Sequence, residues 1–295
     1  MNDADAINNL PLTDWHGPFS AAVQKQAIGA LEAGKVIILP QLPFRLTPDE
    51  TAFLNPATSG DTRKNISFDH TTGKIANATL DEAGAARLKT MMERFRQSGL
   101  QFLKDLLPPY VPVLETARTS FRPDEIEGRV YSPRHDDKRL HVDAFPSRPM
   151  RGKRILRLFT NIANDGVQRH WRVGEPFAGF ARAFMPRLHA PLPGSAWIYD
   201  QFGITKGRRS AYDHYMLGLH DGAKLDSDYQ ARAPKTDVHF APGTTWLCFT
   251  DQVLHAALSG HAAMEQTFHV PVDAMAQPET SPLKVLERIK GKKLA

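Results

Sequence analysis

Only one of the 295 residues, Cys248, is a cysteine, so an internal disulfide framework and any multi-cysteine zinc or iron–sulfur site are excluded. Long apolar runs are missing too. The strongest, Val36 to Pro40, is five residues long, against the roughly 20 that cross a bilayer as a helix, and no integral span is expected. The opening stretch MNDADAINNLPL holds acidic residues and no basic one, which is unlike the positive, then apolar, pattern of an export signal. A cytoplasmic protein is the expectation. Internal repeats and low-complexity segments are absent. Net charge is small, with 37 Lys and Arg against 32 Asp and Glu, or +5. Most of that surplus sits in residues 283–295, where Lys284, Arg288, Lys290, Lys292 and Lys293 face only Glu287. The rest of the chain is nearly neutral, which is low for a nucleic-acid binder, and no nucleic-acid motif is present.

What the chain does have is 41% apolar residues, enough for a sizeable core. Periodicity and punctuation divide it. Ser20 to Lys35 reads as a helix and Val36 to Leu39 as a buried strand. Thr47 with Glu50, and Thr79 with Glu82, read as capping boxes, the second ahead of a long helix to about Leu107. Residues 1–110 are therefore expected to be a mostly helical part packed on a β-rich core. From Val113 onward come seven short β-rich runs: LETARTSF, RLHVDAF, RILRLFTNI, SAWIYD, TTWLCFTD, VLHAALS and MEQTFHV. They predict a sandwich or barrel over residues 111–275, with a helical insert at about 175–225. Residues 276–295 form a basic tail whose Leu283, Leu286, Ile289 and Leu294 fall near helical spacing, as in a helix lying on an anionic membrane. A frayed, solvated terminus is the alternative.

The chemistry concentrates at His141-Val142-Asp143, because side chains two apart on a strand share a face. Taken alone, His-x-Asp is a common triplet. A second imidazole, His255, comes after a Pro-Gly turn in a late strand, and two histidines with one carboxylate form the facial triad of non-haem Fe(II) oxygenases, with open positions for a 2-oxo acid and O2. His239 and His269 also fall in strands and compete for the distal position. His214 and His220, six apart on a helix, lie on different faces and suit structural or substrate-contacting roles.

Between the ligands, Ile155 to Ile162 puts Leu156, Leu158, Thr160 and Ile162 on one face and Ile155, Arg157, Phe159 and Asn161 on the other. An unpaired arginine indoors would cost several kcal/mol, roughly 3 or more. A bound dicarboxylate would pair it through the guanidinium fork. Arg157, and Arg122 on the preceding strand, are the candidate grips for 2-oxoglutarate, with Asn161 beside them; solvent-facing arginines on edge strands are the plainer alternative. Phe145 and Phe159 suit a dry wall or an ordinary barrel core. After the metal pair come the cations Arg148, Arg151, Lys153, Arg154 and Arg157 with no acid between Ala144 and Asn164, and Lys206, Arg208 and Arg209 lie further on. Such charge orients an anionic substrate. Arg148, Arg151, Arg154 and Lys206 are the candidate substrate contacts.

Through SPRHDDKRLHVDAFPSRPMRGKRILRLFTNIANDG (Ser132 to Gly166), RHWRVGEPF (Arg169 to Phe177), AYDHYMLGLHDGAKLDSDYQ (Ala211 to Gln230) and the His255 region up to EQTF, the chain resembles the Kdo hydroxylases. These are Fe(II)- and 2-oxoglutarate-dependent dioxygenases acting on the Kdo sugar of lipopolysaccharide. The resemblance spans roughly residues 30–275. It implies an α+β protein with a double-stranded β-helix (jelly-roll) core, helices on one face and helical insertions. It further implies His141, Asp143 and His255 as iron ligands, and 2-oxoglutarate and O2 as co-substrates. The implied reaction is hydroxylation at C3 of Kdo in Kdo-lipid A to give Ko. An anionic glycolipid substrate suggests a peripheral position on the inner face of the bacterial inner membrane; no protein partner is evident. Many members of the wider superfamily place an arginine or lysine about ten residues beyond the distal histidine. Gln266 stands there in this chain and cannot neutralise a carboxylate, which leaves it an auxiliary role in 2-oxoglutarate binding. Other readings are a dioxygenase acting on another anionic sugar or lipid, a zinc hydrolase built on the same triad, and a non-catalytic sugar-binding jelly roll.

Overall fold

The computed structural model describes residues 6–59, 65–128 and 131–295. In chain order the elements are β1 (Ile7–Asn9), α1 (Ala21–Glu32), β2 (Val36–Leu39), β3 (Ile66–Asp69), β4 (Lys74–Ala76), α2 (Glu82–Leu106), β5 (Glu115–Arg122), β6 (Arg154–Asn161) and β7 (Arg169–Gly174). Next come α3 (Phe177–Phe184), α4 (Ser195–Gln201), α5 (Ala211–Leu225), α6 (Ser227–Arg232), β8 (Lys235–Phe240), β9 (Thr245–Phe249), β10 (His255–Ser259), β11 (Ala263–Val270) and α7 (Pro282–Lys290). Eight strands make one sheet, ordered β1-β2-β9-β6-β11-β5-β3-β4, and three make a second, ordered β10-β7-β8. Phe159 and Trp246 from the large sheet meet Trp171, Val173 and Phe240 from the small one in a shared apolar layer, as in a jelly roll.

The opposite face of the large sheet packs on α1 and α2. Helix α2 presents Leu88, Met91, Met92, Phe95, Phe102 and Leu106, three and four apart, toward Leu156, Leu158 and Phe268 of the sheet. Gly99 is required where helix and sheet touch: a Cβ there would stand 2.8 Å from Leu158 Cδ2. Asp81, not Thr79, caps this helix by accepting from Gly84 N at 2.7 Å, because Thr79 N is already engaged with Thr58 O. The Thr47–Glu50 capping box is present and opens a 3-10 turn, Pro48–Leu54.

Five expectations change. Strands β1 to β4 belong to the same sheet as β6 and β11, so residues 6–110 contribute strands to the core sheet as well as helices beside it. RLHVDAF is no strand; its backbone pairs with one only through a His141–His255 bridge. SAWIYD is helix α4, and β7 and β8 occupy stretches that the β-rich runs passed over. Finally, the tail folds inward: α7 buries Val285 and Leu286, packs Leu283 and Ile289 against the α3–α5 cluster, and is followed by a buried Leu294. Its apolar stripe is an internal packing face.

Candidate metal centre

Strand β10 starts at His255, and the 139–145 segment crosses its end. His141 N donates to His255 O (3.0 Å) and His255 N to His141 O (2.9 Å), while Asp143 N donates to Thr250 O (2.8 Å). These bonds hold the two imidazoles 4.6 Å apart, centroid to centroid. Ligand atoms of His141, Asp143 and His255 all lie within 4.8 Å of one another, the one such group among the described residues.

Each histidine has its inner nitrogen against a backbone carbonyl: His141 Nδ1 to Arg139 O at 2.7 Å and His255 Nδ1 to Val253 O at 2.9 Å. A carbonyl only accepts, so Nδ1 carries the proton and both Nε2 lone pairs face the common point. Burial, with His255 beside it, pushes His141 down to about 3, and burial lowers His255 as well, which keeps both rings neutral. Burial works against the Asp143 carboxylate, but the Arg157 guanidinium, with a hydrogen bond from the Thr250 side chain, holds its pKa well below the usual range. Asp143 Oδ2 is buried without a hydrogen-bond partner. An unsatisfied carboxylate oxygen beside two neutral imidazole lone pairs is costly until a cation sits among them. The N2O donor set suits a first-row divalent metal.

The triad opens into a pocket of about 200 Å³ lined also by Arg122, Arg157, Arg169, Phe159 and Trp171. Arg157 lies between two acids, with Nη2 3.3 Å from Asp143 Oδ2 and Nη1 3.3 Å from Glu265 Oε1. Arg122 pairs with the other oxygen of Glu265. Both arginines keep a buried Nε without a partner. The aromatic wall is layered: Trp171 stacks on His255 at 5.2 Å, and Phe159 stacks on Trp246 and meets Trp171 edge-on. Phe145 covers Arg157 at 5.8 Å. At the mouth, Asp137 Oδ1 lies 3.9 Å from His141 Nε2 and accepts from the buried Lys224 at 3.0 Å.

Three expected site residues are placed elsewhere. Arg154 is fully buried on the opposite face of β6, bonded to Asp251 (2.7 Å) and Gln252 (2.6 Å), with its guanidinium over Phe249. It is a structural ion pair and no substrate contact. Asn161 spends its amide on Val167 O, Phe240 O and Ala163 N. Gln266 faces away from the lumen and is bonded to Thr119, Ala117 O and Thr267 O. Arg148, Arg151 and Lys206 do not line the pocket. They lie where 146–151 meets 205–209, held by Lys206 N to Ser147 O (2.8 Å) and Arg151 Nε to Arg208 O (3.3 Å).

Of the other histidines, His239 stacks on His170 at 4.3 Å and His269 stands near Glu115; neither joins the triad. His214 Nε2 is 3.0 Å from His189 O, and the His220 ring meets His141 edge-on at 5.4 Å. Sequence reasoning missed Arg169, Trp171, Asp137 and Glu265. The alternation Arg169, Trp171, Val173 was the available signal for the first two, since all three are buried. Glu265 sits one residue before the position where a 2-oxoglutarate cation was expected.

A family model described as 3-deoxy-D-manno-oct-2-ulosonic acid (Kdo) hydroxylase matches residues 14–293. Among solved structures, the chain is similar to the Kdo hydroxylase KdoO, described as a non-haem Fe(II) alpha-ketoglutarate-dependent dioxygenase, in complex with alpha-ketoglutarate and Fe(III). Identity is 45%, the TM-score is 0.95, and 98% of this chain and 97% of that one are covered. The same protein without ligands and with cobalt(II) matches with the same figures. No curated protein matches.

Proposed function

The chain belongs to the Kdo hydroxylase family, and from that premise we propose that it hydroxylates C3 of Kdo in a lipid A-linked acceptor, giving Ko, at the inner face of the bacterial inner membrane. One observation carries the chemistry: His141, Asp143 and His255 converge in a pocket that also holds arginines with unspent donors.

His141 and His255 through Nε2, with Asp143, would hold the iron. Iron bound with 2-oxoglutarate and O2 supplies an oxidant that replaces a C–H hydrogen by hydroxyl, 2-oxoglutarate leaving as succinate and CO2. Everything else is done by the chain. Arg122 and Arg157 offer guanidinium donors to the carboxylates of the co-substrate, and Arg169, held by Gly260 O, adds positive charge to the pocket wall. Charge is balanced: Arg122, Arg157 and Lys224 face Asp137, Asp143 and Glu265, so a divalent metal and a dianion enter without leaving net charge indoors. Phe159, Trp171 and Trp246 close the back of the pocket, excluding water from a reactive centre. Trp171, stacked on His255, also fixes the plane of that ligand. The cations beyond the rim favour an acceptor bearing carboxylate and phosphate.

The test is succinate release by protein loaded with Fe(II), given 2-oxoglutarate and Kdo-lipid A, with mass spectrometry of the sugar. A gain of one oxygen on Kdo is expected, and Asp143→Ala should abolish it. Uncoupled succinate with unmodified Kdo would remove the substrate assignment.

A further inference from the structure

Among the described residues, six of the ten exposed large hydrophobic side chains fall within residues 192–204: Leu192, Trp197, Ile198, Tyr199, Phe202 and Ile204. Phe202 is 78% and Leu192 77% exposed, values that a soluble surface tolerates singly but not in one patch. The segment is held in this arrangement. Phe202 N donates to Ile198 O, Ile204 N and Thr205 N both donate to Tyr199 O, and Thr205 is buried beneath them. Gly203, at φ +65, lets the chain turn between Phe202 and Ile204 so that both face outward.

Cations border the apolar tip. Lys206 and Arg208 are exposed, Arg209 covers Tyr199 at 5.2 Å, and Asp200 is the single acid between Leu192 and Arg209. Arg151 joins them through its bond to Arg208 O. Aromatic and aliphatic side chains ringed by Lys and Arg match the boundary between anionic headgroups and acyl chains. A protein partner would meet the same apolar area without using the cations.

The patch also adjoins segments that build the metal pocket. Behind it a groove of about 560 Å³ runs along α5, past His214, Leu217 and Asp221. The neighbouring His220 is the residue whose ring meets His141. On the other side, the chain passes from Asp143 through Ser147 to the bond with Lys206. Helix α7, whose apolar face is buried, has no such surface to offer.

We propose that residues 192–209 dock the protein on an anionic lipid bilayer. Leu192, Trp197, Ile198, Phe202 and Ile204 enter the headgroup–acyl boundary, Lys206 and Arg208 contact anionic headgroups, and the metal pocket is thereby held at the membrane surface. The purpose of this docking rests on the proposed Kdo-lipid A substrate; the docking itself is measurable without substrate.

The experiment uses the full chain with vesicles of phosphatidylethanolamine and phosphatidylglycerol in equal parts, or of phosphatidylcholine alone, none containing Kdo. Trp197 is the exposed tryptophan, Trp171 and Trp246 being buried and Trp15 half-buried. Wild type should co-sediment with the phosphatidylglycerol vesicles and show a blue-shifted emission that Trp197→Phe removes. Phe202→Ser with Ile204→Ser should lower partitioning by about tenfold or more, and Lys206→Glu with Arg208→Glu should remove the preference for phosphatidylglycerol. Lys292→Glu with Lys293→Glu should change binding by less than about twofold. Absent vesicle binding, or binding unaltered by the Phe202/Ile204 variant, would overturn the proposal. So would a wild-type dimer, seen by light scattering without vesicles, that this variant turns into a monomer. Turnover of a soluble Kdo oligosaccharide should be equal in wild type and the Phe202/Ile204 variant. If vesicles bind but no Kdo compound is oxidised, the substrate reading fails and the docking stands.

Discussion

Strand β6 carries two arginines three residues apart on opposite faces, Arg154 fully buried and Arg157 nearly so, and they lead opposite lives. Arg154, toward the α1–α2 layer, has Asp251, Gln252, Met275 and the Phe249 ring around its guanidinium. Arg157, toward the lumen, leans on two acids at 3.3 Å and keeps a buried Nε unspent. Residue type and strand are the same; besides a slightly greater exposure of Arg157, the difference is whether the hydrogen-bonding capacity is used up. A folded chain tolerates unspent donors where a ligand is to complete them. The lumen face shows this repeatedly: Arg122 Nε, Asp143 Oδ2 and Trp171 Nε1 are also buried without a hydrogen-bond partner.

The sharpest way to break the contrast is to truncate both arginines. Arg154→Ala strands the Asp251 carboxylate, already pushed up by burial, without its cation. It should cost about 3–5 kcal/mol of stability, read by urea denaturation. Arg157→Ala should cost its energy in binding instead. With iron loaded, the metal supports Asp143, and the loss appears as a rise of about a hundredfold in the KM for 2-oxoglutarate, in line with about 2–5 kcal/mol for a truncated buried charge pair. Should Arg157→Ala unfold the protein while Arg154→Ala leaves its stability unchanged, the distinction drawn from hydrogen-bond saturation is wrong.

How far the chain's sequence reveals this contrast depends on the residue. The phase of β6 is legible, because Leu156 and Leu158 go to the helix side and Arg157 and Phe159 to the lumen. The triad is legible from spacing, although its first two members sit on a crossing segment and not on a strand. Arg154 is illegible: it stands after basic residues in the chain, and only the fold brings Asp251 to it from 97 residues away. Gln266 shows how a step of one residue changes the face. The position counted from His255 is one off, and the lumen receives Glu265 instead, in contact with both arginines. SAWIYD misleads because short aromatic and aliphatic runs suit strand and helix equally. In the folded chain they serve neither core: Trp197 and Ile198 are exposed.

Glu265 offers a finer test of the lumen face. Burial works against its charge, yet Arg157 and Arg122 keep its pKa below the usual glutamate value, so it is an anion occupying the forks that 2-oxoglutarate needs. Glu265→Gln removes that competing charge while keeping the shape. Affinity for 2-oxoglutarate in the iron-loaded protein should rise by up to about tenfold, since one less buried negative charge at this range is worth about 1 kcal/mol or more at an effective dielectric of 20. Calorimetric titration checks it. A weaker 2-oxoglutarate complex would make Glu265 a positioning residue for the arginines instead.

The smallest effect distinguishes the faces by pH. His269 lies on the lumen side of β11 with Nε2 buried and unpartnered. Glu115 of β5 stands 4.0 Å from its Nδ1, with Lys153, Arg157 and Arg148 as nearby cations. Burial is the largest influence and pushes it down to about 4, against Glu115, which works the other way. The folded state therefore holds the neutral ring, whereas the unfolded chain takes a proton below about 6.5. Unfolding binds a proton in that window, so this residue's contribution is intact above about pH 6.5 and falls as the pH drops toward 4. Between pH 7 and 5.5 the loss should be about 1 kcal/mol, visible as a steeper decline in Tm for wild type than for His269→Phe. No lumen metal is needed for this, so the slope should persist in chelator-treated protein. A His269→Phe curve parallel to wild type would mean that the ring already finds a proton acceptor, and that the unspent capacity of the lumen face ends at Arg157.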